Sequence, residues 1–291
     1  MATEALDPPL IVIAGPTASG KTALAIRLAK QFNGEIICAD SRTIYKGMDI
    51  GTAKPSRAEQ SEVVHWGLDL VEPNQKFSVA DFKQYAENKI VEIRQKGKTP
   101  ILVGGSGLYI DSLIFDFQFG PPADEKLRQS LEEKTVNDLK SYCIKNNIPL
   151  PENSNNKRYL VRTIEQKTIN NSRNQRPINN CFVVGITTSK KNLRHRIESR
   201  ADKIFSSGVI NEAISLAENY GWEGEAMTGN IYRLIKQHLD GEYDFEELKR
   251  RFVISDWQLA KRQMTWFRRN PYLMWGSTQA IEQYISKNLA D

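Results

Sequence analysis

The segment that most constrains the fold is residues 15–22, which read GPTASGKT. An apolar run, residues 10–14, precedes this segment, and apolar residues at helical spacing follow it. The pattern is G-x-x-x-x-G-K-[ST] between a buried strand and an amphipathic helix, the setting in which it forms a phosphate-binding loop, or P-loop. An ordinary glycine-rich turn would not need a Lys-Thr pair at this register. The pattern therefore predicts that the loop binds a di- or triphosphate.

The residue types in the P-loop indicate how it binds phosphate. Its glycines allow several backbone N–H groups to point inward, and the N-terminus of the following helix adds positive potential. Lys21 supplies a positive charge for the outer phosphate, and the hydroxyl of Thr22 can ligate Mg²⁺. The predicted phosphate-binding residues of the loop are Gly15, Thr17, Ala18, Ser19, Gly20, Lys21 and Thr22.

A second apolar segment, residues 35–39, has the character of a parallel strand and ends at Asp40. Ligands of open α/β sheets lie outside the carboxyl ends of the strands, so we expect Asp40 to project toward the ligand of the P-loop. The residues alone leave four roles open for this carboxylate. It could be a ligand in the Mg²⁺ shell, a general base, a ribose ligand or a helix cap.

The alternation of strand-like and helical segments predicts an α/β fold, a P-loop NTPase-like parallel sheet flanked by helices. The strand-like segments are residues 10–14, 35–39, 100–103 and 182–186. The last interval is too long for one crossover, so residues 116–180 are predicted to form a mostly helical insertion, a lid over the site that binds the acceptor. Residues 1–115 and 181–291 then form the P-loop core, and we expect only helices after the strand at 182–186.

Four blocks of the sequence, in this order, resemble the tRNA dimethylallyltransferase (tRNA isopentenyltransferase) family, of the bacterial type without a zinc finger. They are residues 15–22, 40–55, 103–109 and 258–266. In that family the P-loop holds the diphosphate of dimethylallyl diphosphate. The resemblance implies transfer of a dimethylallyl group to the N6 amine of the adenosine 3′ of the anticodon in tRNA, with release of diphosphate. It also implies the tRNA anticodon stem-loop and dimethylallyl diphosphate as partners, and Mg²⁺ as cofactor.

The same resemblance assigns catalytic roles to Asp40, Lys21 and Ser106. Asp40 would accept the proton of the adenine amine, and Lys21 would stabilise the leaving diphosphate. Ser106 stands where the family usually has Thr, and its hydroxyl could bond to Asp40 or to the adenine edge, or could cap a helix at 108–115. Arg233 joins the P-loop residues as a predicted diphosphate ligand.

Basic and polar residues in three regions are predicted to bind tRNA. The last long helix presents a cationic face with few acids near it, which suits a phosphate backbone. The predicted tRNA-binding residues are Asp40, Ser41, Arg42, Thr43, Ser106, Arg128, Arg158, Arg162, Lys261, Arg262, Gln263 and Arg268. The competing structural interpretation is that the arginines cover helix faces or pair with acids such as Glu165 and Asp256. A basic cluster from Lys190 to Arg200 likewise faces either solvent or RNA.

The chain departs from the family pattern at several positions. Before Leu259 the family commonly has Thr-Arg-Gln, whereas residues 256–258 read Asp-Trp-Gln, so an arginine that could bind diphosphate or RNA is missing. A histidine pair is reduced to His65 followed by Trp66, and a lone histidine of this kind is more often structural than catalytic.

Composition and targeting signals favour a soluble cytoplasmic enzyme, which we expect to be a monomer. The net charge of +5 is modest, so clustering of basic residues matters more than their sum. The three cysteines are widely spaced and match no zinc pattern. The N-terminus lacks the basic and apolar regions of a signal peptide, and no apolar run is long enough to span a membrane, so no membrane association is expected.

Two other functions share the P-loop. A small-molecule or nucleoside kinase would transfer a phosphoryl group from ATP and use Asp40 as the base toward a hydroxyl, but the basic C-terminal helix would then have no role. A non-catalytic RNA-binding switch protein is the other alternative, although the sequence contains no Asn-Lys-x-Asp guanine motif.

Overall fold

The strand before the P-loop is an interior strand of a parallel sheet in the computed structural model, which describes residues 7–120, 124–166 and 173–289. The strands in this part of the chain are β1 (Leu10–Ala14), β2 (Gly34–Ala39), β3 (His65–Trp66), β4 (Thr99–Gly104), β5 (Cys181–Ile186) and β6 (Met274–Gly276). These described strands form one six-stranded sheet in the order β3-β2-β4-β1-β5-β6, and each neighbouring pair is parallel. The predicted α/β fold with a parallel sheet is confirmed.

The position of β1 between β4 and β5 brings the functional segments to one edge of the sheet. Ala14, the last residue of β1, is in register with Gly104 of β4 and Gly185 of β5. Ala39, the last residue of β2, is also in register with Gly104. A Cβ on Gly104 would lie 1.9 Å from the carbonyl oxygen of Ala39, so only glycine fits there. The P-loop, Asp40 and the segment after β4 therefore leave the sheet side by side.

Helices cover the sheet. In the core they are α1 (Lys21–Gln31), α2 (Arg57–Glu62), α3 (Val79–Gln95), α4 (Gly107–Ile114), α8 (Lys190–Ser206), α9 (Val209–Tyr220), α10 (Asn230–Leu239), α11 (Phe245–Phe267) and α12 (Thr278–Leu289), with a 3₁₀ turn at Glu225–Thr228. The insertion contains α5 (Glu125–Glu132), α6 (Val136–Lys145) and α7 (Lys157–Gln166). Among the described residues, no helix combines the length and the apolar character needed to cross a membrane.

The chain divides into two units. The core unit comprises Met1–Ile114 and Arg176–Asp291, and the insertion unit comprises Phe115–Gln175. The second boundary lies five residues before the predicted one at 180/181, because this segment bonds to the core. There the Ile178 N–H donates to the Ile114 carbonyl at 2.8 Å, and the Leu10 N–H donates to the Asn180 carbonyl at 3.0 Å.

The insertion unit has its own small apolar core and, in its described part, is helical as predicted. Residues 121–123 and 167–172 of the predicted insertion lie outside the described residues. Its buried side chains are Leu131, Leu139, Cys143, Ile148, Leu160, Val161 and Ile164, which come from all three helices and the turn after α6. Cys143 is therefore a small buried core residue of this unit.

The expectation that only helices follow β5 is wrong, because β6 pairs with β5 after α11 has ended. Val184 is in register with Met274, and Ile186 is in register with Gly276. A strand of three residues is too short to show an alternation of apolar and polar positions, so the sequence pattern could not reveal it. The same is true of the two-residue strand β3 at the opposite edge of the sheet.

A half-buried carboxylate shapes the loop between β2 and α2. Glu212 of α9 accepts hydrogen bonds from the backbone N–H groups of Asp49, Ile50 and Gly51 at 2.9, 2.7 and 2.9 Å. Its other contact is the Tyr232 hydroxyl, which donates at 2.8 Å. One side chain therefore satisfies a turn of backbone that has no strand or helix partner.

We expect Glu212→Gln to destabilise the fold by about 2 kcal/mol or more, because hydrogen bonds to a charged acceptor each contribute about 1.5–3 kcal/mol. Urea titration of the free energy of unfolding measures the change. Glu218→Gln is the matched control, since Glu218 lies on the same helix and is exposed. Equal stability of the two variants would show that Glu212 does not hold this loop.

Candidate active site

A cavity of about 1010 Å³ opens at the carboxyl edge of the core sheet. It is lined by the P-loop, the loop that begins at Asp40, the segment after β4, and side chains of α8 and α11. The predicted residues that line it are Thr17, Ala18, Ser19, Gly20, Lys21, Thr22, Asp40, Ser41, Arg42, Thr43, Ser106, Arg262 and Gln263. The sequence-based site residues of the core are thus brought together, with four exceptions.

The exceptions are Gly15, Arg233, Lys261 and Arg268. Gly15 is buried beneath the loop, where a Cβ would lie 3.2 Å from Ser19 Oγ. Arg233 is an exposed residue of α10, and Lys261 and Arg268 are exposed at the end of α11. None of the four belongs to the described lining of the cavity. The structure therefore does not place Arg233 beside the P-loop residues with which it was grouped.

The P-loop is held in its shape by bonds from outside the loop. Ala18 and Gly20 have φ angles of 58° and 94°, so the backbone turns sharply at both positions. The Thr17 N–H donates to Gln263 Oε1 at 2.7 Å, and the Gln263 Nε2 donates to the Gly105 carbonyl at 3.0 Å. The Thr17 N–H is thus directed at α11 rather than into the loop, while the N–H groups that begin α1 remain able to bind an anion.

Lys21 lies at the start of α1 and reaches back across the loop. Its ammonium donates to the Pro16 carbonyl at 2.6 Å. The pKa of Lys21 is lowered from 10.5 to about 8, mainly by loss of surrounding water; the negative charge of Asp40 opposes this shift and the positive charge of Arg200 adds to it. A phosphate oxygen at this position would favour the charged ammonium.

Two arginines of α8 contact the P-loop. Arg196 donates to the Ser19 carbonyl at 2.9 Å, and Arg200 donates to Thr17 Oγ1 at 2.7 Å. The Arg200 guanidinium also pairs with Asp256 of α11. The basic cluster of α8 therefore includes two residues that face the P-loop, while Arg194 pairs with Glu198 on the same helix.

Sequence reasoning did not assign Arg196 and Arg200 to the phosphate site. The usable signal was their spacing of four residues, which places both on one helix face. The missing information was the strand order. Because β5 pairs with β1, the helix that follows β5 begins at the same sheet edge as the P-loop.

The Asp40 carboxylate is half-buried and is held by its own loop. Its Oδ1 accepts a hydrogen bond from the Arg42 N–H at 2.8 Å. Ser106 Oγ accepts a bond from the Ser41 N–H at 2.9 Å and donates to the Ser41 hydroxyl at 3.4 Å. Ser106 thus bonds to the neighbour of Asp40 rather than to Asp40 itself, and its carbonyl accepts the Ile110 N–H at the start of α4.

Arg42 is engaged with the backbone of the core unit. Its guanidinium donates to the Glu225 carbonyl at 2.9 Å and to the Ala226 carbonyl at 3.4 Å. Thr43 is buried, and its hydroxyl lies 3.5 Å from the Asp40 carbonyl. Arg42 therefore fixes the Asp40 loop against the 3₁₀ turn, while Thr43 bonds within the loop.

Cys38 and His65 also line the cavity. Burial, with a smaller contribution from Asp40, raises the pKa of the Cys38 thiol to about 12, so it is not a thiolate nucleophile. His65 Nδ1 lies 2.8 Å from the Val63 carbonyl, so Nδ1 carries the proton, and burial lowers the pKa of the imidazole. His65 is thus held neutral, consistent with a structural role.

The residues around the P-loop fit a Mg²⁺ ion bound together with phosphate. Mg²⁺ prefers one or two protein oxygens plus phosphate oxygens and water, and Thr22 and Asp40 both line the cavity. Ser19 Oγ is buried without a hydrogen-bond partner, as expected where a ligand supplies one. In the described part of the chain, no cluster of three or more His, Cys, Asp or Glu side chains is arranged to hold a metal by itself.

In the insertion unit, two arginines that were predicted to contact RNA pair with a glutamate. Arg128 forms a two-pronged pair with the buried Glu165, with both distances at 2.7 Å, and Arg162 Nη1 lies 3.4 Å from the same carboxylate. Arg158 is exposed. Arg128 and Arg162 therefore pair with an acid, as the competing structural interpretation of these arginines expects.

Comparison with known proteins agrees with this geometry. The sequence profile of the IPP transferase family matches residues 43–270. The tRNA dimethylallyltransferase of Acetivibrio thermocellus is 40% identical, and the match covers 96% of each chain. The chain belongs to the IPP transferase family. The tRNA dimethylallyltransferase of Geobacter metallireducens is 37% identical, over 91% of each chain.

Solved structures of this family share the fold. The tRNA isopentenylpyrophosphate transferase of Bacillus halodurans superposes with a TM-score of 0.75 at 34% identity, covering 97% of both chains. A eukaryotic dimethylallyltransferase, crystallised while acting on tRNA, superposes with a TM-score of 0.76 at 24% identity, covering 94% of this chain and 75% of that one, which shows the fold alone.

Trp257 stands at the position of the missing family arginine. Trp257 is partly buried and packs against a small apolar cluster of Leu193, Ile197 and Ala260, which Ala18 of the P-loop also contacts. A large side chain that packs between α8 and α11 therefore stands where the family commonly has an arginine. The arginines that contact the P-loop in this family member come from α8.

We expect Lys21 to titrate near pH 8 in the native protein. Only the neutral amine acylates, so its labelling rate, followed by mass spectrometry, should reach half its maximum at about pH 8. In urea the half-point should return toward the ordinary value of 10.5. Added diphosphate should raise the native half-point, because a nearby negative charge favours the ammonium. A native half-point near 10.5 would contradict the buried position of Lys21.

Proposed function

We propose that this chain transfers the dimethylallyl group of dimethylallyl diphosphate to the N6 amine of the adenosine 3′ of the anticodon in tRNA, and releases diphosphate. One observation carries the proposal. In a member of the IPP transferase family, the P-loop and the Asp40 carboxylate line a single cavity of about 1010 Å³. The tRNA dimethylallyltransferases to which the chain is similar match it over more than nine-tenths of its length.

The P-loop side of the cavity suits a leaving diphosphate. As the bond between the allylic carbon and oxygen breaks, its electron pair moves to the diphosphate, and the carbon becomes cation-like. Lys21, Arg200 and the N–H groups at the start of α1 supply positive potential where that charge increases. Thr22, together with water, would hold Mg²⁺, which further neutralises charge on the diphosphate when bound.

The other side of the cavity suits an amine nucleophile. The lone pair of N6 forms the new bond to carbon, and the amine must lose a proton as it does so. Asp40 accepts that proton in the proposed reaction, since a carboxylate within hydrogen-bond reach of the amine is a competent base. The Arg42 N–H holds one oxygen of this carboxylate in place. The adenine itself reaches the cavity by leaving the stacked bases of the anticodon loop.

The exposed cations of α11 suit the tRNA backbone. Lys261 and Arg262 belong to a surface depression that this helix lines, together with Trp266 and Arg269. Arg262 also lines the main cavity, so the depression adjoins the site at this residue. Phosphate contacts at these residues would position the RNA without reading its sequence.

The reaction itself is tested by incubating the protein with total tRNA, dimethylallyl diphosphate and Mg²⁺. Mass analysis of the nucleosides should show adenosine heavier by one dimethylallyl group, and diphosphate should appear in equal amount. The proposal fails if no such nucleoside forms while ATP is consumed in the presence of a small acceptor, which is the outcome expected of a kinase.

We expect Asp40→Asn to lower kcat by about a hundredfold or more, because loss of a general base costs about 10²–10⁴ in rate. The amide still accepts the Arg42 N–H, so the loop and the affinity for tRNA should be retained. Glu59→Gln is the matched control: Glu59 also lines the cavity, and glutamine preserves the cap that it forms with Ser56. Similar rates in both variants would remove Asp40 from the proton transfer.

Replacing Arg262 and Arg268 by Gln should flatten the log–log salt dependence of tRNA binding. Each lost phosphate contact should reduce the slope by about 0.7–0.9. The control replaces Arg250 and Arg251, which lie on the same helix and pair with Glu247. Filter binding at several salt concentrations measures both slopes. A slope equal to that of the unchanged protein in the Arg262/Arg268 variant would argue that these arginines do not face RNA.

A further inference from the structure

Asp256 is a buried acid in the wall of a cavity that is otherwise built for an anion. It lies on α11, its side chain is 4% exposed, and it lines the cavity together with the P-loop. Nothing in the proposed chemistry requires a second carboxylate beside the diphosphate. A buried carboxylate is costly unless it is paired, so its partner is informative.

The partner of Asp256 is the arginine that contacts the P-loop. One nitrogen of the Arg200 guanidinium, Nη1, donates both to Asp256 Oδ2 and to Thr17 Oγ1. The second terminal nitrogen, Nη2, lies 3.5 Å from the Thr52 carbonyl. Asp256 therefore holds the guanidinium against the loop while Nη2, with only a long contact, is available to a phosphate oxygen.

Asp256 also changes the charge that a diphosphate meets. The charges of Asp40 and Arg200 shift the pKa of Lys21, and the same two charges shift the pKa of Asp256. These two cations and two carboxylates carry no net charge when all are ionised. Burial raises the pKa of Asp256 and Asp40 adds to that rise, while the contact with Arg200 opposes it by favouring the ionised carboxylate.

We propose that Asp256 competes with diphosphate for Arg200, so that it positions the guanidinium for the substrate and weakens the hold of the site on the product. This inference rests on the proposed function, in which diphosphate leaves on the P-loop. A site that held its leaving group with every available cation would release it slowly. A fixed acid next to Arg200 reduces the attraction for diphosphate without removing the donor that aligns it.

Asp256→Asn removes the negative charge of the side chain but keeps a group that can hold Arg200 in position. The amide oxygen can still accept a bond from Arg200 and occupies the same volume, but the negative charge is gone. Asp256→Thr is a second uncharged variant with a smaller side chain, whose hydroxyl can also accept from Arg200. The matched control is Asp202→Asn, because Asp202 pairs with Lys249 across the same two helices at 2.6 Å but is exposed and lies outside the described lining.

Calorimetric titration with inorganic diphosphate and Mg²⁺ measures the dissociation constant. We expect it to fall at least about tenfold in Asp256→Asn, to fall in Asp256→Thr, and to stay within about twofold in Asp202→Asn. In turnover assays, inhibition by added diphosphate should strengthen by the same factor. A merely structural Asp256 would change the unfolding midpoint and leave the dissociation constant unchanged.

The possible failures are distinguishable. If the unchanged protein binds diphosphate and the two Asp256 variants bind it equally well or more weakly, the competition is refuted while the proposed function stands. If the unchanged protein binds no diphosphate with Mg²⁺, the assignment of the P-loop fails, and the inference about Asp256 fails with it.

Discussion

The side-chain amide of Gln263 is the contact on which the candidate site depends. Its oxygen accepts the Thr17 N–H of the P-loop, and its nitrogen donates to the Gly105 carbonyl after β4. One residue of α11 therefore fixes the distance between the loops that follow β1 and β4. The P-loop already contains backbone in the left-handed region at Ala18, which the surrounding structure must hold. A loop preorganised in this way does not need to be ordered by its ligand.

Charge in the site is balanced in a similar way, by side chains from elements far apart in the sequence. Lys21 and Arg200 face the P-loop from α1 and α8, and Asp40 and Asp256 come from the end of β2 and from α11. Removal from water lowers the pKa of Lys21. A bound anion would favour the charged ammonium again, so the site is suited to binding one. The same arrangement leaves Asp40 beside the anion site, where a base for the amine is required.

The predicted tRNA-binding residues show where sequence patterns mislead. A run of arginines has the same appearance whether each faces phosphate, carboxylate or a backbone carbonyl. In the structure Arg42 donates to carbonyl groups at Glu225 and Ala226, and Arg128 pairs with the buried Glu165. Of the predicted tRNA-binding cations in the described part of the chain, those of α11 and Arg158 are exposed, as a phosphate contact requires. Since pairing depends on acids distant in the chain, local composition cannot reveal it.

What the sequence determined by itself is local. The pattern of residues 15–22 indicates a phosphate loop because strand, glycine turn and helix are contiguous, and the apolar segments predict a parallel sheet with Asp40 at a strand end. The tertiary structure decided the rest. Strand order placed α8 beside the P-loop, so Arg196 and Arg200 joined the site, while Arg233 remained exposed on α10. The physical reason is that a contact between distant segments depends on how helices pack on the sheet, which periodicity within one segment does not encode.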